Sequence, residues 1–273
     1  MRFEPRDLIE NNVSPGYPLA ELGTLVAGLA LVGLALLFAA WLAVEGAVRF
    51  LPASLEQRAF GVAAGAFAVP SDARGAALDA VLGRLARHWE GHGYALRLGV
   101  VDEEDLPNAF ALPGGHVLVT SALLDQAGSE NELAFVLAHE LGHVEARDPL
   151  RALGRGLLVA LALAALGGTD GSAIVGSAAT LGELAFSREQ ERAADRFALA
   201  LVAAEYGHVA GASDFLARLP DARPAGGAER AVSWLATHPR SADRVAELDA
   251  LAAAAGYPTT GALTLLAPEI RGG

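Results

Sequence analysis

The chain has 273 residues, a formal net charge of −12, arginine at all 20 basic positions, and no cysteine. Phosphate binding needs clustered positive charge, so this balance argues against nucleic-acid partners and against a polybasic membrane patch. Without cysteine there are no disulfides and no thiolate metal sites, and the length suits one soluble domain plus an anchor.

Residues 1–21 are polar, with Pro15 and Pro18, and read as a flexible tail. The positive mean hydropathy of +0.35 has a local cause. Leu22 to Val44 is 23 residues without a charge. As a helix it would span about 35 Å, against a hydrocarbon core of about 30 Å. Trp41 near one end suits an interfacial aromatic. The segment starts late, lacks a basic leader and shows no small-residue cleavage pattern, which predicts an uncleaved single-pass anchor. Arg2 and Arg6 on one side balance Arg49 and Arg58 on the other. The short tail before the anchor and the large domain after it suit an extracytoplasmic domain, periplasmic if the source is bacterial. Residues 45–74 read as a linker and 75–273 as the domain.

Within that domain, Asp72 to Trp89 predicts a helix and Tyr94 to Val101 a strand. Residues 108–120 predict a hairpin: Phe110 and Leu112 alternate, Pro113-Gly114-Gly115 turns, and Val117 and Val119 return. An extended peptide can add to the edge of such a sheet. Ser129 and Glu132 then make a capping-box start. Leu133, Val136, Leu137, Leu141 and Val144 follow at helical spacing, and Asp148-Pro149 ends the helix. Beside that apolar stripe lies His139-Glu140-Leu141-Gly142-His143. Histidines at i and i+4 share a helix face and can hold one zinc ion, while the adjacent glutamate reaches a bound water. Zinc lowers the pKa of that water to about 7, and the carboxylate takes its proton as it attacks a carbonyl. Gly142 suggests a close neighbour, because glycine costs a helix about 1 kcal/mol relative to alanine. Residues 152–185 read as an apolar helical hairpin, Leu157 to Leu166 and Ser172 to Leu181, each half too short to span a bilayer.

Catalytic zinc usually has three protein ligands. The third is sought in Ser187-Arg188-Glu189-Gln190-Glu191-Arg192-Ala193-Ala194-Asp195, a second capping-box start followed by an apolar face through Phe197, Ala198, Leu201 and Val202. Glu191 is assigned as ligand. Asp195, one turn on, is assigned as acceptor for a ligand imidazole N–H. Glu189 competes with Glu191 but points about 200° away around the helix, so only one of them faces the metal.

These two segments, with Asn108-Ala109-Phe110-Ala111-Leu112-Pro113-Gly114-Gly115-His116 and Thr237-His238-Pro239 followed by Arg244, resemble the M48 family of zinc peptidases across roughly residues 75–250. The resemblance implies an α+β, mainly helical zincin-like domain with a small β-sheet behind an N-terminal transmembrane helix. It also implies one Zn2+ per chain on His139, His143 and Glu191, with Glu140 as general base. His238 would stabilise the tetrahedral intermediate. Asn108 would contact the substrate or oxyanion, and Arg244 would orient its segment or support the oxyanion. Substrates would be unfolded or misassembled polypeptides near a membrane. The rival is a chaperone-like scaffold with latent or minor proteolysis. Intact Glu140 counts against it, since a structural metal site needs no base. Latency, with His238 or a loop filling the open metal position, stays alongside. Oligomeric state has no signal in the chain.

Overall fold

The computed structural model describes residues 18–64, 72–90, 93–165, 167, 186–218, 238 and 244–271. They divide into two compact units at Ala43/Val44. The first holds most of helix α1 (Pro18–Phe50), which is long and apolar enough, by length and composition, to cross a membrane. Its Leu25, Leu29 and Phe38 side chains are exposed. The helix continues past the expected anchor end at Val44 to Phe50. The predicted tail, up to residue 17, lies outside the described residues.

The second unit starts with the last turns of α1 and is the expected α+β architecture, mainly helical with a small sheet. Residues 45–74, expected as linker, contain those turns and helix α2 (Ala53–Ala64). Helix α3 (Ala73–Ala86) begins where Asp72 accepts the Gly75 N–H at 3.0 Å. Strands β1 (Arg97–Val101), β2 (Ala109–Leu112) and β3 (His116–Thr120) form one sheet in the order β1-β3-β2. β1 runs parallel to β3, whereas β2 is antiparallel to it, Ala109 facing Val119 and Leu112 facing His116. That is the expected hairpin. Its turn uses Gly114 and Gly115 at φ +90° and +81°, a region closed to most side chains.

After α4 (Ser121–Gln126), helix α5 (Glu130–Glu145) carries the two histidines. Ser129 caps it, accepting the Glu132 N–H. The Glu132 carboxylate, expected to close a capping box on Ser129, instead accepts the Gly128 N–H at 3.0 Å and pairs with Arg218. An apolar stripe predicts one buried side. In the structure every residue from Asn131 to Val144 is buried. The reason is position: α5 packs against α3, β2, β3, α6 (Asp148–Ala165) and α7 (Arg188–Tyr206). Its Leu133, Phe135, Leu137 and Leu141 join Leu78, Leu85, Leu98, Val117 and Leu199 in the core.

α6 is the first half of the predicted apolar hairpin, with Leu157, Val159, Leu161 and Leu163 exposed, and the second half lies outside the described residues. The capping box of α7 forms in full between Ser187 and Gln190. Helices α8 (Asp214–Arg218) and α9 (Arg244–Ala255) follow. The stretch after α9 crosses the start of α5, where Thr264 O accepts the Glu130 N–H at 3.0 Å and Asn131 Oδ1 accepts the Thr264 N–H at 2.7 Å.

Candidate metal centre

α5 and α7 lie in close contact because Gly142 presents no side chain to Ala194. This brings His139 and His143 against Glu191, all three buried. The Nε2 atoms of the two imidazoles are 3.2 Å apart, and each is 3.5 Å from a Glu191 oxygen. Glu189, the competing ligand, is exposed on the other side of α7.

The opposite nitrogen of each ring faces a carboxylate. His139 Nδ1 lies 2.9 Å from Asp195, and His143 Nδ1 lies 3.0 Å from Asp148. In the neutral ring a carboxylate there makes Nδ1 the protonated nitrogen and leaves Nε2 as the acceptor. Two acceptors 3.2 Å apart, beside a carboxylate, call for a cation between them. The ligand atoms of His139, His143, Glu191 and His238 all lie within 4.8 Å of one another. A nitrogen and oxygen donor set of this kind fits zinc.

Charge reinforces the pattern. Burial pulls the His143 imidazole down, but the bonds to Asp148 and Glu191 outweigh it and carry the pKa up to about 9. The same contest raises His139 through Asp195 and Glu191. Burial pushes the Glu191 carboxyl up, yet the histidines around it hold it well below the usual carboxylate range.

Arg244 binds two carboxylates of α7, Asp195 and Glu191. Its Nη2 donates to Asp195 Oδ1 at 2.8 Å, and its Nη1 lies 2.9 Å from Glu191 Oε2. Of the two roles the sequence leaves open for it, this contact is of the orienting kind. His238 comes closer than an oxyanion donor requires: its Nδ1 is 3.2 Å from His139 Nε2 and 3.0 Å from Glu191 Oε1. Its flanking residues Thr237 and Pro239 lie outside the described residues. Glu140 is fully buried, and neither carboxylate oxygen has a hydrogen-bond partner among the described residues; His238 Nε2 is 3.4 Å from Oε1. A buried carboxylate left in that state is costly and points to function. Asn108 is buried at the start of β2, its N–H donating to Thr120 Oγ1 at 2.8 Å, and its Oδ1 makes no hydrogen bond among the described residues.

Three contributors escape the sequence reading. Asp148 is legible there only as a helix stop, yet it sits five residues after His143 and accepts its N–H. Gln190 is legible as a capping residue, and its Nε2 also donates to Asp148 Oδ1 at 2.6 Å. Phe186 stacks on the His143 ring, with centroids 4.1 Å apart. Only the i+5 offset of Asp148 from a candidate ligand is a signal in the chain.

Comparison with known proteins gives a consistent picture. The model of peptidase family M48 matches residues 72–252. A putative beta-barrel assembly-enhancing protease of Vibrio cholerae is 34% identical over 159 residues, covering 51% of this chain and 31% of that protein. The mitochondrial metalloendopeptidase OMA1 of Bos taurus is 32% identical over 165 residues, covering 56% of this chain and 31% of the relative. Metalloprotease YcaL of Escherichia coli is 35% identical over 102 residues, covering 35% and 40%. The chain thus spans less than half the length of each of these three relatives.

Proposed function

The chain belongs to peptidase family M48, and on that premise we propose that it is a membrane-anchored zinc endopeptidase. One Zn2+ would be held by His139, His143 and Glu191. When bound, the metal supplies Lewis acidity, polarising a carbonyl and bringing the pKa of water to about 7. The rest falls to the chain itself. Asp148 and Asp195 hold the two imidazoles in the tautomer that leaves Nε2 free to ligate. Arg244 fixes Glu191 and Asp195. Glu140 takes the proton of the attacking water and passes it to the leaving amine. Asn108 and the edge of β2 receive the substrate backbone. α1 anchors the domain, which faces away from the cytoplasm.

Substrates are unfolded or misassembled polypeptides near that membrane. Support for this comes from relatives named for beta-barrel assembly and for the mitochondrion, together with the apolar α1. The observation that carries the enzymatic reading is the convergence of two Nε2 acceptors with Glu191 beside a buried Glu140 carboxylate that has no hydrogen bond among the described residues. A scaffold would not keep that carboxylate. The test pairs metal content with digestion of an unfolded casein-like substrate, for the wild type and Glu140→Gln. One zinc per chain in both, with cleavage in the wild type alone, is expected. Turnover retained in the variant would remove Glu140 as base, and a chain without zinc would remove the metal centre.

A second reading, latency, is favoured by one observation. His238 Nδ1 stands among the ligand atoms, where it would take the fourth metal position. In that form the enzyme is shut until His238 withdraws.

A further inference from the structure

Glu56 is a carboxylate only 2% exposed, on helix α2, in a stretch whose sequence reads as linker. A buried charge is tolerated when it is paired and hydrogen-bonded. Its Oε1 accepts the Gly114 N–H at 2.7 Å, and its Oε2 accepts the Tyr94 hydroxyl at 2.8 Å. Arg147 Nε lies 3.9 Å from the same Oε2. Gln57 adds a hydrogen bond to Ala95 O at 3.0 Å. The packing is equally close. A β-carbon at Gly114 would lie 3.3 Å from the Gln57 Cα, and one at Gly115 would lie 3.0 Å from the Tyr94 Cβ. The β2–β3 turn is therefore fastened to α2.

β2 runs straight into that turn. Among the described residues β2 pairs with β3 alone, so it is a sheet edge, and it packs on α5, which carries His139 and Glu140. The same juxtamembrane stretch also holds the far end of α5. Arg147, with an unusual φ of +54°, donates to Val48 O at 2.7 Å and to Leu51 O. The next residue, Asp148, orients His143. Residues 48–57 thus grip both the strand that would receive a peptide and the end of the helix that would cleave it. A peptide added to a strand edge draws its affinity from main-chain hydrogen bonds along that edge, so a displaced β2 would bind it more weakly.

We propose that Glu56 is a positioning residue for extended substrates: by holding the Gly114 amide it fixes the height of β2 over the ligand helix. The proposal rests on the peptidase reading, and it deepens that reading by making the juxtamembrane helix part of the substrate site. It is tested on the full chain in detergent micelles with Glu56→Ala, Glu56→Gln and the milder Gln57→Ala, after zinc content and Tm are recorded. Two substrates are compared, an unfolded ten-residue peptide and a dipeptide amide too short to lie along β2.

With Glu56→Ala, KM for the long peptide rises about tenfold at unchanged kcat per bound zinc, while the short substrate is unaffected. Glu56→Gln restores the wild-type KM, because its amide oxygen still accepts the Gly114 N–H. Gln57→Ala raises KM for the long peptide about threefold, and decides the matter if Glu56→Ala does not fold. Equal losses on both substrates, a change in Tm alone, or a Gln variant as impaired as Ala would overturn the proposal. The long peptide is also titrated onto Glu140→Gln with and without Glu56→Ala. Binding about tenfold weaker supports the proposal even if the wild type cleaves nothing, an outcome that would count against the peptidase reading alone; unchanged binding overturns the proposal.

Discussion

A β-carbon placed on Gly142 would lie 2.8 Å from the Cα of Ala194 and 3.1 Å from its Cβ. The two helices that carry the candidate ligands meet at that point, one turn from Glu191 and next to His143. Alanine there would gain about 1 kcal/mol of helix propensity, but it meets backbone, and overpacking costs about 1–3 kcal/mol. Gly142→Ala is therefore expected to lower stability by about 1 kcal/mol and to weaken zinc binding as the helices part. Gly83→Ala on α3, where a β-carbon meets nothing within 4 Å, should be neutral or stabilising. Thermal melts and metal titrations of the two variants check this. Similar behaviour of both would mean that the close approach does not set the site.

Asp148 and Asp195 should each matter to the metal without touching it. Removing a carboxylate behind a ligand imidazole typically costs ten- to a hundredfold in affinity. Asp148→Ala and Asp195→Ala are each expected to fall in that range, measured by competition with a chromophoric chelator. Asp148→Ala also strips Gln190 of its Oδ1 partner. Loss at Asp195 alone would make the His143–Asp148 bond incidental.

Much of this site can be read from the chain, because local rules govern its parts. An i, i+4 histidine pair, a capping serine at 129 and at 187, and a Gly-Gly turn after Pro113 all act within a few residues. Gly142 also signals a close neighbour, though not that the neighbour is Ala194. What cannot be read is long-range. Burial of α5 on every side from Asn131 to Val144 depends on five elements closing around it. Glu132 turns from Ser129 to Gly128 and Arg218, which no local rule anticipates. Glu56 looks like a surface acid on a linker, and only the folded sheet brings Gly114 and Tyr94 to it. His238 is a candidate from the sequence, but its distance from His139, His143 and Glu191 is a tertiary fact.

Proton and metal should compete at His143. In the metal-free chain burial pulls this imidazole down, but Asp148 and Glu191 carry its pKa up to about 9. The folded value lies above the unfolded one of about 6.5. Its protonated form therefore adds stability to the metal-free protein below about pH 6.5, and that contribution disappears as pH rises through about 9. Zinc must displace the Nε2 proton, so its apparent affinity should increase with pH until about 9 and then level off. Chelator competition across that interval, with proton release followed in weak buffer, tests the sign. Affinity constant between pH 6.5 and 9 would show that the histidines bind zinc already deprotonated.

His238→Ala separates the two roles open to this residue. An oxyanion donor contributes roughly 10²- to 10³-fold in rate, so its loss would lower kcat by that factor with KM little changed. A histidine filling the fourth metal position does the opposite. Three protein ligands remain after its removal, zinc stays bound, and the position needed for catalysis opens. The geometry favours the second outcome: Nδ1 is 3.0 Å from Glu191 Oε1 and 3.2 Å from His139 Nε2, inside the ligand cluster. Raised turnover of an unfolded substrate at unchanged zinc content is therefore expected. A fall of 10²-fold or more would return His238 to the oxyanion, and zinc lost along with turnover would make it a ligand the centre cannot do without.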